Sequence, residues 1–285
     1  MPVDQPNVHM LLGYAVGTHA PGRRLMLDAV PAAHHLLLAH GRAAVALRAA
    51  GATSVGCANH HAPMWPATED EADVAATKLF DSLSNGLFLE PMLLGRHPVD
   101  LEPLLEGVVR DGDLATIRQP LDFYGVTWSS PLRVGLAPEE SELFFQLYDL
   151  VGYPETDSGW PVVPDALREW LITFRARYRA ALPPLVVTGC GAAYAGEPDE
   201  HGQVDDTARI DYLRAHIDAV STACQRGVDV RALYVWSFLD SFEWVEGFTQ
   251  RFGLVHVDPV TGRRTPKASY RWLQGLIAAQ TRSVG

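Results

Sequence analysis

Apolar, β-branched runs alternate along this chain with longer stretches in which apolar residues recur every three or four positions, the pattern of strand–helix units in a parallel α/β sheet. Four such units are predicted. The first strand spans 53–58 and leads into Asn59-His60-His61; ahead of it, a helix over 30–50 rich in Ala and Leu stops at Gly51. The second strand spans 121–128 and ends in Ser129-Ser130-Pro131, where the proline cannot continue a ladder. A helix from 165 to about 181 is blocked by Pro183-Pro184, and a strand over 185–188 then opens onto Gly189-Cys190-Gly191. Ile210, Leu213, Ile217 and Val220 give helical spacing to 206–226. The last strand, 231–236, runs into a loop dense in aromatics and acids, and a final helix over 267–279 packs Trp272, Leu273 and Leu276 inward. Stretches 68–104 and 132–155 read as insertions.

In parallel α/β folds the loops at the C-terminal ends of the strands carry the chemistry, because the strands hold a rigid floor beneath them. That rule selects four places: His60-His61, Trp128-Ser129, Gly189-Cys190 and the run from Trp236 to Trp244.

Composition narrows the partners. A content of 47% hydrophobic residues supports a buried core, and a formal net charge of −11 works against binding nucleic acid or an anionic membrane, both of which need clustered Lys and Arg. No apolar run reaches the roughly eighteen residues that span a bilayer, and the first residues show neither a basic segment nor an apolar one of the signal-peptide kind. A cytoplasmic location is expected. Cys57, Cys190 and Cys224 lie far apart without CxxC spacing, so neither a disulfide framework nor a zinc knuckle is indicated.

The run Trp236-Ser237-Phe238-Leu239-Asp240-Ser241-Phe242-Glu243-Trp244, followed by Gly247-Phe248 and Arg251-Phe252-Gly253-Leu254, closely resembles the WSLLDNFEW and RFGL signature of family 1 β-glucosidases. Arg263-Arg264-Thr265-Pro266-Lys267 matches the stretch that closes that family's barrel. Thr156-Asp157-Ser158-Gly159-Trp160 looks like its TDMGW and Leu87-Phe88-Leu89-Glu90-Pro91 like its WFLDP. Leu12-Gly13-Tyr14-Ala15, His19-Ala20-Pro21-Gly22 and the helix with His34, His35 and His40 resemble the region after the family's fourth strand, where those histidines are packing residues. The match covers essentially the whole chain, and the family's first three strands have no counterpart in it. The resemblance implies a single domain over 1–285, an incomplete (β/α) barrel of the TIM type with about four βα units.

Retaining glycosidases need two carboxyl groups about 5 Å apart, one to protonate the leaving oxygen and one to attack the anomeric carbon. The family carries the acid in TxNEP and the nucleophile in (I/V)TENG. Here those motifs read Val3-Asp4-Gln5-Pro6 and Val187-Thr188-Gly189-Cys190-Gly191, so Gln5 and Gly189 occupy the acid and nucleophile positions. Neither can act: an amide is no useful proton donor, and glycine has no side chain to form a glycosyl intermediate. The family's asparagine-tyrosine-tyrosine after strand six becomes Thr127-Trp128-Ser129.

The resemblance leaves a ligand-binding set: Gln5, Trp128, Gly189, Trp236, Glu243, Trp244 and Phe252. An aromatic face beside a carboxylate suits a pyranose, which has an apolar CH face and a polar rim. The expected function is a non-hydrolytic pseudoenzyme binding a glycoside or another polar small molecule. An alternative is a repurposed cyclase, lyase or isomerase of secondary metabolism using Asp4, His60 and Cys190 as catalytic groups, and residual β-glucosidase activity is a further one. No metal or cofactor is expected, local hydrogen bonding accounting for the histidines. Open sheet edges invite pairing, so a homodimer, a partner chain, or the insertions folding over the gap is expected to cover them.

Overall fold

Strands β1 (Gly56–His61), β3 (Phe123–Trp128), β6 (Leu185–Cys190) and β7 (Val230–Val235) lie side by side in that order, all parallel. The computed structural model describes residues 1–283. Before β1, Asp4 bridges to Ala58 in parallel sense and the Gln5 amide donates to the Ala58 carbonyl, so the chain's first residues add a fragment of a fifth strand. They turn at once into the short helix α1 (Pro6–Val8).

Helices α2 (Val30–Ala49), α6 (Pro164–Tyr178) and α7 (Thr207–Gln225) follow the predicted stretches closely. The last helix, α8, runs Ala268–Ser283, past the predicted end at 279. One core joins Ala33 and Leu37 of α2, Leu171 and Phe174 of α6 and Tyr212 and Leu213 of α7 to Cys57, Tyr124, Val126, Leu185 and Val187 of the strands. Side chains alternate across a strand. The register therefore sends Asn59, His61, Val126 and Trp128 toward the helices, and Ala58, His60, Gly125, Thr127, Thr188 and Tyr234 to the other, concave face.

The strand predicted over 53–58 lies three residues later. His60 and His61 read as loop because they are polar, yet a hydrogen-bond chain lets His61 sit fully buried. Its Nδ1 meets Asn85 Oδ1 at 2.8 Å and its Nε2 meets the Tyr124 hydroxyl at 2.9 Å, while its ring stacks on Trp170, with centroids 5.1 Å apart.

That burial has a consequence for acid stability. Desolvation lowers the His61 pKa from 6.5 to about 3. In the unfolded chain the ring takes its proton near 6.5, so the stability it confers is complete above that pH and is lost as pH falls toward 3. Thermal melts between pH 7 and 4 should show a falling midpoint. His61→Gln should reduce the slope of stability against pH by about 1.4 kcal/mol per unit in that window; an unchanged slope would show that His61 plays no part.

The segment 68–104 does not cover an open edge. It forms α3 (Glu71–Asp81), a π-helical turn (Ser82–Gly86) and α4 (Leu87–Leu94), with α4 packed beside α2 and the short α5 (Asp113–Ile117). Segment 132–155 likewise turns away: β4 (Leu132–Leu136) and β5 (Phe145–Tyr148) join β2 (Met64–Pro66) in a small separate sheet against α3. Both insertions find apolar partners locally, and among the described residues neither pairs with the outer edge of β7. A hairpin of β8 (Val255–Val257) and β9 (Arg264–Pro266) leads into α8. Among the described residues no helix is long and apolar enough to cross a membrane.

Candidate ligand cleft

The C-terminal ends of the four strands and the Asp4–Gln5 fragment come together at one end of the concave face, which is the candidate cleft. Gln5 is half-buried with φ 46°, a left-handed conformation, and its side chain hydrogen-bonds the exposed Asp4. Partial burial raises the Asp4 pKa; the Gln5 bond and the charge of His9 act against that shift. Gly189 lies opposite Thr127. A Cβ placed on it would stand 3.2 Å from the Thr127 methyl and 3.9 Å from Trp236 Cβ, so the missing side chain would project between these two residues.

His60 pairs with Ser129 and not with Cys190. Its Nε2 stands 2.8 Å from Ser129 Oγ, and burial lowers its pKa to about 4, which favours the neutral ring; the ring tautomer sets which of the two donates. Cys190 points the other way, beneath the sheet. It is fully buried 4.0 Å from the Tyr212 hydroxyl, and burial pushes its thiol up to about 12. Asp4, His60 and Cys190 therefore do not converge. A thiolate nucleophile needs a depressed pKa and access, and Cys190 has neither. Among the described residues no group of three His, Cys, Asp or Glu side chains is placed to hold a metal ion.

The other expected ligand residues divide. Trp236 and Trp244 are 50% and 65% exposed at the cleft, and the Trp236 side chain hydrogen-bonds the half-buried Glu243 carboxylate. Burial raises the Glu243 pKa, the Trp236 bond lowers it, and Glu246 nearby raises it further. Trp244 also stacks on His19, with centroids 6.1 Å apart, so the first and last loops meet there. Phe252, by contrast, is buried against Trp160 at 5.5 Å, and Trp128 is buried on the helix side. These two support the cleft from behind. Ser129 stands at one of the four strand ends that the sequence selects, but its pairing with His60, 69 residues away, has no sequence signal.

A buried charge cluster fixes the loops. Arg209 donates to Asp206 at 2.9 Å and to the carbonyls of Phe252 at 3.0 Å, Arg251 at 2.7 Å, Tyr194 at 3.1 Å and Ala192. Asp240 accepts from Lys267 at 3.0 Å and from the Gly253 amide at 2.8 Å. Gly191 lets the loop after β6 pass directly beneath the last one, since a Cβ there would collide with the Trp236 carbonyl. The aromatic loop is thus tied to the end of β6 by charges and backbone contact.

Residues 1–282 match the family described as Glycosyl hydrolase family 1. The chain is 36% identical over 281 residues to the β-glucosidase of Agrobacterium sp. and 33% identical over 281 residues to β-glucosidase A of Acetivibrio thermocellus, in each case over 96% of its own length. It spans 61% and 62% of those two proteins. The crystal structure of a psychrophilic β-glucosidase from Micrococcus antarcticus superposes with a TM-score of 0.92 at 37% identity, covering 97% of this chain and 64% of that one. The four parallel strands are accordingly an arc of a partial (β/α) barrel, and the chain belongs to glycosyl hydrolase family 1.

Proposed function

We propose that this chain binds a β-glucoside, or a polar small molecule of similar shape, in the cleft without cleaving it by the two-carboxylate retaining route. The observation that carries this reading is the pairing of an exposed Trp236 and a half-buried Glu243, with Trp236 beside Gly189; neither position 189 nor position 5 has a carboxyl group. The names of the relatives supply the ligand class. Titration calorimetry with glucose and cellobiose tests it: Trp236→Ala should weaken affinity about tenfold and Glu243→Gln a few-fold, through loss of the stacking face and of a charge-assisted hydrogen bond. Asp4→Asn should leave affinity unchanged. If Trp236→Ala binds as well as the parent, the sugar is not held here.

Two features favour a second reading, altered or residual catalysis. The relatives are named β-glucosidases, and His60 with Ser129 forms a hydrogen-bonded base–hydroxyl pair in the cleft. Turnover abolished by Ser129→Ala or Asp4→Asn, with binding retained, would establish it.

Closure of the barrel is part of the proposal. An open parallel strand carrying exposed Tyr234 is a template for further pairing. A second copy is the closure we favour, since four strands taken twice give the eight of a closed barrel. Sedimentation of the purified chain should then give twice the 31.2 kDa chain mass, and a monomer that binds sugar at full affinity would reject it. The three free thiols suit the cytoplasm, where they stay reduced.

A further inference from the structure

A cavity of about 420 Å³ lies on the helix side of the sheet, lined by none of the residues of the concave cleft. Trp65 of β2 and Tyr153 of the loop before α6 form one wall, with ring centroids 6.5 Å apart and planes tilted by 45°. The other wall is the face of α6 that carries Asp165, Glu169, Trp170 and Thr173, residues that fall on one side of the helix by their spacing. Trp170 is held rigidly, stacked on Phe174 at 4.5 Å and on His61 at 5.1 Å. The Tyr153 and Thr173 hydroxyls have no hydrogen-bond partner among the described residues, whereas Arg168 holds Asp165 at 2.7 Å and Glu169 at 2.9 Å.

The geometry points to a binding site for a neutral carbohydrate. Flat aromatic walls offer the apolar contact that the CH face of a pyranose needs, and the hydroxyls with the outer carboxylate oxygens offer the mixed donors and acceptors that its rim needs. A cation is the competing ligand for any site of aromatics and acids. Three observations stand against it. Arg168 already shares its charge with both carboxylates, those carboxylates are 76% and 55% exposed and so screened by water, and the Trp65 and Tyr153 planes splay apart instead of boxing a charge. The volume fits one or two sugar rings. This inference does not rest on the function proposed for the concave cleft, since none of its residues belongs to that cleft.

Saturation-transfer NMR with cellobiose on the full chain tests it, with tetramethylammonium as the control probe. Sugar CH signals should persist in Trp236→Ala, which disables the cleft, and should require about tenfold more cellobiose in Trp65→Ala on the Trp236→Ala background. Tyr153 is 41% exposed, so Tyr153→Ala keeps the fold and should weaken the sugar in the same direction. Three results would overturn the assignment: no transfer in Trp236→Ala, transfer there that is indifferent to both Trp65→Ala and Tyr153→Ala, or saturable binding of tetramethylammonium in preference to cellobiose.

Discussion

A nitrophenyl β-glucoside offered to the purified chain is expected to remain intact, hydrolysed on the order of 10⁴-fold or more slowly than by a retaining family member, with no burst of nitrophenolate. On the proposed reading both half-reactions lack their agent, because position 5 is an amide and position 189 a glycine. The charges felt by Asp4 are those of His9 and the N-terminus, and the charge felt by Glu243 is that of Glu246. Added azide separates binding from chemistry. It can enter beside Gly189, form a carbon–nitrogen bond at the anomeric carbon and displace nitrophenolate, a leaving group that needs no acid. Glucosyl azide would then appear, and Trp236→Ala should reduce it. Hydrolysis at family rates without azide, accompanied by a covalent glucosyl adduct, would defeat the reading, because it would require a nucleophile other than residue 189.

Arg209→Met should lower stability by about 3–5 kcal/mol and the melting midpoint by roughly 10 °C. The side chain is 1% exposed, and its removal leaves Asp206 without its counter-charge and four carbonyls without their donor. Ser269 would still donate to Asp206 through its amide at 2.8 Å and its hydroxyl at 2.6 Å, too little to offset a buried carboxylate. The effect should extend to the ligand. Arg209 binds the backbone of Ala192 and Tyr194 after β6 and of Arg251 and Phe252 in the last loop, so without it Trp236 and Glu243 lose their fixed relation to Gly189. Differential scanning calorimetry and sugar titration on the same variant check both parts. A variant with an unchanged midpoint would mean that the cluster is incidental, and one that melts early but binds normally would mean that it does not position the cleft.

How far the site could be read in advance depended on whether the cue was a pattern or an environment. The helices over 30–50, 165–181 and 206–226 were legible because their periodicity and proline or glycine stops act within a few residues. The strand beginning at Gly56 was displaced because His60 and His61 are strand residues only when Asn85, Tyr124 and Trp170 receive them. The same limit applies to Cys190 and Phe252: both stand in motif positions, but one faces Tyr212 under the sheet and the other Trp160 behind the cleft.

By itself, the order of residues determined that positions 5 and 189 carry no carboxyl group, and no folding can add one. It also determined the aromatic and acidic run from Trp236 to Trp244. Only the tertiary structure decided which of those side chains reach the cleft, that His60 meets Ser129 and not Cys190, and that Arg209 binds two distant loops together. Side-chain type is local information, whereas facing, burial and pairing arise from contacts between segments far apart in the chain.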